Sequence, residues 1–146
     1  MKDFIEENAI DYSVVSIDNK RIDAINILKA SHQAMHNAVR GLRVDPELIL
    51  VDGDKFPYYM DDKDNYIEHQ CIPGGDDLYC SIAAASILAK CERDTFIEEL
   101  CDTEPELDTK YNWRKNKGYG TKAHMEGIKE HGITEWHRKS FAPCKI

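Results

Sequence analysis

Four consecutive apolar residues, Leu48-Ile49-Leu50-Val51, stop at once on Asp52-Gly53. A run this short and unbroken, closed by a turn pair, fits a strand covered on both faces, the usual setting of a parallel sheet. Tyr66 to Ile72 reads as a second strand, broken sharply by Pro73-Gly74-Gly75-Asp76-Asp77. A long helix is expected next, from about Leu78 to Leu100. Its segment Ser81 to Lys90 is rich in small residues, which permit close packing. The order strand, Asp, strand, Asp, helix fixes an α/β class. In such sheets ligands gather at the carboxyl ends of the strands.

The flanking pattern supports that class. Met1 to Ala9 reads as the tail of a helix, and Tyr12 to Ile17 as a β-rich strand ended by Asp18-Asn19. Ile25, Leu28, His32, Met35, Val39 and Leu42 step by three and four, predicting one helix with one apolar stripe. Gly41 near its end and Pro46 beyond it are stop signals. His32 falls in the stripe and reads as a packed histidine rather than a ligand. Asp54 to Asn65 reads as an acidic loop, and Glu104 to Asn116 as irregular. Thr121 is placed to cap a helix running to about Glu130 and stopped by Gly132. With 146 residues, the chain is expected to form a single domain. A chain of that size buries roughly 70% of its unfolded surface without disulfides or structural metal.

Several function classes are excluded. No apolar stretch is long enough to span a bilayer as a helix. The acidic N-terminus, Met1-Lys2-Asp3-Phe4-Ile5-Glu6-Glu7, has no apolar signal core. The five cysteines, Cys71, Cys80, Cys91, Cys101 and Cys144, form no C-x-x-C pair. That spacing argues against a disulfide framework and a zinc ribbon, and for reduced thiols in the cytoplasm. The net charge of -8 hides a split. Lys110 to Ile146 holds nine Lys/Arg against three Asp/Glu, whereas the first 109 residues hold 10 against 24. A basic C-terminal part suits an anion such as a phosphate backbone, and an acidic body suits metal.

Two constellations can carry chemistry. Asp52 directly follows a buried strand, and Asp76 precedes a helix in a Gly-Gly turn. Carboxylates brought together there would offer the oxygen ligands that hard divalent cations prefer. On spacing alone the plain alternative is a turn aspartate and a helix cap. The second is Asn116-Lys117-Gly118-Tyr119-Gly120-Thr121-Lys122. A tyrosine between glycines can present its ring to a sugar or base. Lys117, Lys122 and a helix starting at Thr121 suit phosphate. An ordinary Gly-rich loop with a packed tyrosine is the alternative there. The basic cluster His137-Arg138-Lys139-Ser140-Phe141 is a weaker third.

In this order these segments resemble the ribonuclease HII family, the type 2 ribonucleases H. The matching strings are Ile22 to Leu28, Leu50-Val51-Asp52-Gly53, Gly75-Asp76, and Ser81 to Lys90 with Arg93-Asp94. They continue with Lys117-Gly118-Tyr119-Gly120-Thr121, His124, Gly132 and His137 to Pro143. Each string is modest; the ordered set, from about Phe4 to Lys145, is specific.

The resemblance implies a ribonuclease H-like fold: a mixed sheet with flanking helices and a helical C-terminal region, incomplete at the N-terminus. It implies endonucleolytic cleavage of RNA in RNA–DNA hybrids and at ribonucleotides embedded in duplex DNA. Mn²⁺ or Mg²⁺ would be held by four carboxylates. Two carry over as catalytic and metal-binding residues, Asp52 and Asp76. Tyr119 matches the tyrosine that senses the ribonucleotide's sugar, whose 2′-hydroxyl separates RNA from DNA. Lys117, Gly118, Thr121, Lys122, Arg138 and Lys139 are the accompanying nucleic-acid contacts. Asp23, Asp94 and His124 are expected to be structural, through caps and buried hydrogen bonds. The family's other two carboxylates lie in an Asp-Glu-Ala-Gly-Arg-Gly motif that this sequence does not contain. The expectation is therefore the C-terminal two-thirds of the family domain, from a truncated chain or one started at an internal Met, weakly active or inert alone. A non-catalytic hybrid-binding remnant or a gene fragment is the rival reading.

Overall fold

The computed structural model describes residues 1–145 as two compact units. The first takes residues 1–17 and 28–90, and the second residues 18–27 and, among the described residues, 91–145. Residue 146 lies outside the described residues.

The first unit contains helix α1 (Lys2–Asn8), most of α3 (Ile27–Arg40), a sheet, α4 (Gly75–Leu78) and the first part of α5 (Cys80–Thr103). The sheet has three strands, β1 (Leu48–Asp52), β2 (Tyr59–Met60) and β3 (Tyr66–Ile72), in the order β1-β3-β2. β1 runs parallel to β3, with Val51 opposite Cys71 and Asp52 opposite Ile72, while β2 runs antiparallel to β3. The apolar run thus forms the parallel strand expected of it, ending on Asp52. It occupies the sheet's edge, however, so only Val51 is buried and Leu48 is exposed. Within the loop expected over 54–65, Tyr59-Met60 adds the short third strand.

Three local expectations are corrected. Tyr12 to Ile17 alternates in exposure with period two, as an extended chain must, but joins no ladder among the described residues. β-propensity makes a strand only where a partner strand exists. Here the segment lies instead against the end of α3. Asp11 accepts the backbone N–H of Arg43 at 2.6 Å and pairs with its guanidinium at 3.0 Å. The predicted single helix is two: α2 (Asn19–Ile25) ends at Asn26, whose φ of 70° interrupts the spiral before α3 begins. The small-residue segment of α5 is not packed along its length, since Ala85, Ser86 and Ala89 are exposed.

The second unit is helical: α2, the rest of α5, α6 (Glu106–Tyr111), α7 (Trp113–Asn116) and α8 (Lys122–His131). Its core joins Ile97, Leu100, Cys101, Leu107, Tyr111 and Trp113. The stretch expected to be irregular over 104–116 therefore holds two short helices and three core residues. Asn112, in the left-handed conformation at φ 58°, divides them. α8 begins and ends as predicted, at Thr121 and Gly132. It meets α6 closely at Gly127, where a Cβ would lie 2.1 Å from the Lys110 carbonyl oxygen. This mixed sheet with flanking helices and a helical C-terminal region is a ribonuclease H-like α/β fold. All five cysteines are free. No helix of the described residues is long and apolar enough to cross a membrane.

Candidate functional site

In the first unit, β1 delivers Asp52 to the carboxyl end of the parallel pair, and α4 starts two residues after the β3 strand with Asp76 in its first turn. The two segments meet through one hydrogen bond: the Gly75 N–H donates to Asp52 Oδ1 at 3.1 Å. Gly75 is buried and both aspartates are exposed. The fit is close, since a Cβ there would lie 2.7 Å from Ile82 Cδ1, the end of a side chain that would have to shift. Asp52 keeps its second carboxylate oxygen for other partners. The donor set is oxygen only, which suits Mg²⁺ or Mn²⁺ and not a soft metal. Two carboxylates make half of the four the family resemblance implies. Among the described residues, no three His, Cys, Asp or Glu side chains form a metal-binding group.

In the second unit, the loop Lys117 to Thr121 is built around an exposed Tyr119 ring, which is 63% accessible. Lys117 and Gly118 both have left-handed backbone, at φ 52° and 79°. The buried Asn116 organises the loop: its Nδ2 donates to the Tyr111 carbonyl at 2.7 Å and to Thr121 Oγ1 at 3.1 Å, and its Oδ1 accepts the Gly118 N–H at 2.9 Å. Thr121 caps α8 through the His124 N–H. Arg93, on α5, lies over the Tyr119 ring at 5.3 Å and donates to the Lys117 carbonyl at 3.0 Å. Its Nε is buried without a hydrogen-bond partner.

The remaining predicted contacts are placed in the same unit, in different states. Lys117 pairs closely with Glu98, so its ammonium is already neutralised by a partner. The same contact, with Arg114, holds the Glu98 carboxyl below the ordinary range. Lys122 is exposed, with Glu126 at 3.8 Å. Arg138 stacks over Phe141 at 4.9 Å. Burial, and then the charge of Arg93, pushes its guanidinium below the usual arginine value. Lys139 is exposed, and its backbone N–H donates to Asp23 at 2.9 Å. Asp23 also accepts the Ser140 N–H and hydroxyl, and the hydroxyl bond chiefly lowers its carboxyl pKa. Asp23 therefore clamps the basic turn, the structural role expected of it. His124 is buried and fully hydrogen-bonded, again as expected.

Sequence reasoning assigned no role to Arg93 beyond its place in a matching string. Its partner carbonyl is 24 residues away, so no local pattern could mark it.

The profile of a family described as Ribonuclease HII matches residues 2–144 of this chain. Curated relatives with that name include one from Christiangramia forsetii, 50% identical over 141 residues, covering 97% of this chain and 67% of the relative. One from Parabacteroides distasonis is 48% identical over 141 residues, covering 97% and 66%. One from Cytophaga hutchinsonii is 46% identical over 138 residues, covering 94% and 64%. The chain thus spans about two thirds of the length of the relatives it matches.

Proposed function

The chain belongs to the ribonuclease HII family, and on that premise we propose that it supplies part of the site of an endoribonuclease acting on RNA–DNA hybrids and on ribonucleotides embedded in duplex DNA. The observation that carries this reading is the Gly75-to-Asp52 hydrogen bond, which ties the two carboxylate-bearing segments together at the carboxyl end of β1. Asp52 and Asp76 are the residues to hold Mg²⁺ or Mn²⁺. A divalent cation, when bound, supplies the positive charge that eases water attack and departure of the 3′-oxygen in phosphodiester hydrolysis. The two carboxylates orient that charge toward the phosphate. Tyr119 offers its exposed ring and hydroxyl to the sugar, where a 2′-hydroxyl marks a ribonucleotide. Gly118 and Thr121 offer backbone and hydroxyl groups beside it. Lys122, Arg138 and Lys139 are candidate phosphate contacts, and Lys117 is one once it leaves Glu98. The free cysteines suit action in the cytoplasm.

A second reading, hybrid binding without cleavage, is favoured by the metal-ligand count of two. The test is a cleavage assay on duplex DNA with one embedded ribonucleotide, with Mn²⁺ or Mg²⁺. The chain is assayed alone and joined to a family segment carrying Asp-Glu-Ala-Gly-Arg-Gly. Cutting by the joined protein, lost on Asp52→Asn, is expected, with none by the chain alone because ligands of one unit act together. Binding without cutting in both forms would favour the second reading. Robust cutting by the chain alone that survives Asp52→Asn would defeat the assignment of Asp52.

A further inference from the structure

Beneath the Tyr119 loop lies a buried polar chain whose proton positions are fixed by its partners. His137 is 4% exposed and His124 5% exposed. The backbone N–H of Thr134 donates to His137 Nδ1 at 2.9 Å, and the Thr134 hydroxyl lies at 2.9 Å from the same nitrogen. A backbone N–H can only donate, so His137 Nδ1 carries no proton and its Nε2 does. That Nε2–H points to His124 Nε2 at 3.1 Å, which is therefore an acceptor. The indole N–H of Trp113 donates to the same atom at 3.1 Å. His124 must then carry its proton on Nδ1, which faces the Tyr119 carbonyl oxygen at 2.9 Å. Every link has one direction: Thr134 to His137, His137 and Trp113 to His124, His124 to Tyr119.

We propose that His124, held neutral in its Nδ1–H form by His137 and Trp113, is the positioning residue of the Tyr119 loop. The proposal rests on the reading of Tyr119 as the residue that meets the sugar. The Tyr119 carbonyl also accepts the Thr121 N–H at 2.8 Å, so the same oxygen ties the loop to the α8 cap. With the carbonyl held from below and Arg93 against the ring, the side chain's direction is set before any ligand arrives. Such pre-set geometry lowers the ordering cost of binding. A second proton on either imidazole would put a donor against a donor. The surroundings offer no charge to support one: His137 faces the rings of Tyr111 at 4.9 Å and Trp113 at 5.4 Å, and His124 faces the same two rings at 5.9 and 5.6 Å. Burial lowers the His137 pKa to about 4.

The test uses the two amide isosteres of histidine. In His124→Asn the side-chain amide falls near the Nδ1 position, and in His124→Gln near Nε2. Hydrogen exchange is followed at the Thr121 N–H, with the Leu107 and Tyr111 amides as reference. His124→Gln is expected to speed Thr121 exchange about tenfold relative to the reference, while His124→Asn stays near wild type. A purely packing role would raise exchange throughout the unit in both variants, and that result, or none in either, overturns the proposal. If a variant does not fold, the wild-type imidazole nitrogen spectrum decides. Nδ1–H at His124 and Nε2–H at His137 are required of the neutral imidazoles at pH 8, and any other pair of tautomers overturns it. In parallel, His124→Gln should lower the preference for a ribonucleotide-containing duplex over all-DNA duplex, and His124→Asn should retain it. If neither duplex binds wild type, the nuclease reading fails, while the exchange and tautomer results still judge this proposal.

Discussion

The Tyr119 loop and the Asp52–Asp76 pair are held to very different degrees. The loop is fixed by Asn116 at Gly118 and Thr121, with Asn116 itself anchored on the Tyr111 carbonyl, by His124 at the Tyr119 carbonyl and by Arg93 at the Lys117 carbonyl. The segments that carry Asp52 and Asp76 are joined by one backbone N–H, that of Gly75 to Asp52. The difference follows from charge. A sugar is neutral, so the groups that meet it can be locked in place in the ligand-free protein. Two carboxylates held close together would repel, so a tight geometry would cost energy until a cation offset it. On the proposed roles, the residue that meets the sugar is set in advance and the metal-binding residues are left to be organised by their ligand.

The largest expected effect breaks the weakly held side. In the protein joined to a family N-terminal segment, Asp52→Asn or Asp76→Asn should each reduce cleavage by about 10³-fold. A loss below tenfold for either would remove that residue from the site. On the strongly held side, Gly127→Ala places a methyl group against the Lys110 carbonyl and 2.9 Å from Tyr111 Cδ1. The obstacle is backbone, which cannot step aside, so denaturant melts should show a loss of about 3 kcal/mol. The matching change beside the carboxylates, Gly75→Ala, meets only the end of the Ile82 side chain and should cost less.

Acid separates the two regions through His137. Its folded pKa, about 4 against an ordinary 6.5, means that the unfolded chain binds the proton first. This group's contribution is fully present above pH 6.5 and is lost as the pH falls toward 4. The total is about 3 kcal/mol. Denaturant melts between pH 7 and 4 should follow that slope, and His137→Gln should flatten it. The smallest effect tests the stack on the ring. Arg93→Lys keeps the charge but loses the planar contact with Tyr119. It should lower the preference for a ribonucleotide-containing duplex about threefold while leaving affinity for all-DNA duplex nearly unchanged, measured by direct binding.

The contrast also explains what the sequence disclosed. Asp52 and Asp76 were legible because each sits where an apolar run meets glycine, a local signal. That β1 runs in a parallel pair was legible in its unbroken apolar run, although its partner β3 was not. The partial burial of β1 was not, because it depends on what lies beyond the sheet's edge. α6 and α7 were hidden because Pro105 and the left-handed Asn112 divide them into pieces too short to show a period. His124 was expected to be structural, yet its direction of hydrogen bonding needed His137, 13 residues on, and Trp113, 11 residues back. Contacts at that separation leave no spacing rule to read.

On the proposed function, Asp52 and Asp76 form a cation site that its ligand completes. Titration of the ¹⁵N-labelled chain with Mn²⁺ tests it most directly, since the ion broadens only nearby amides. Gly53, Gly75 and Asp76 are expected to broaden first, and Asp52→Asn with Asp76→Asn to abolish the effect. Broadening centred on the acidic turn at Asp61 to Asn65, with Gly53 and Gly75 left sharp, would contradict it.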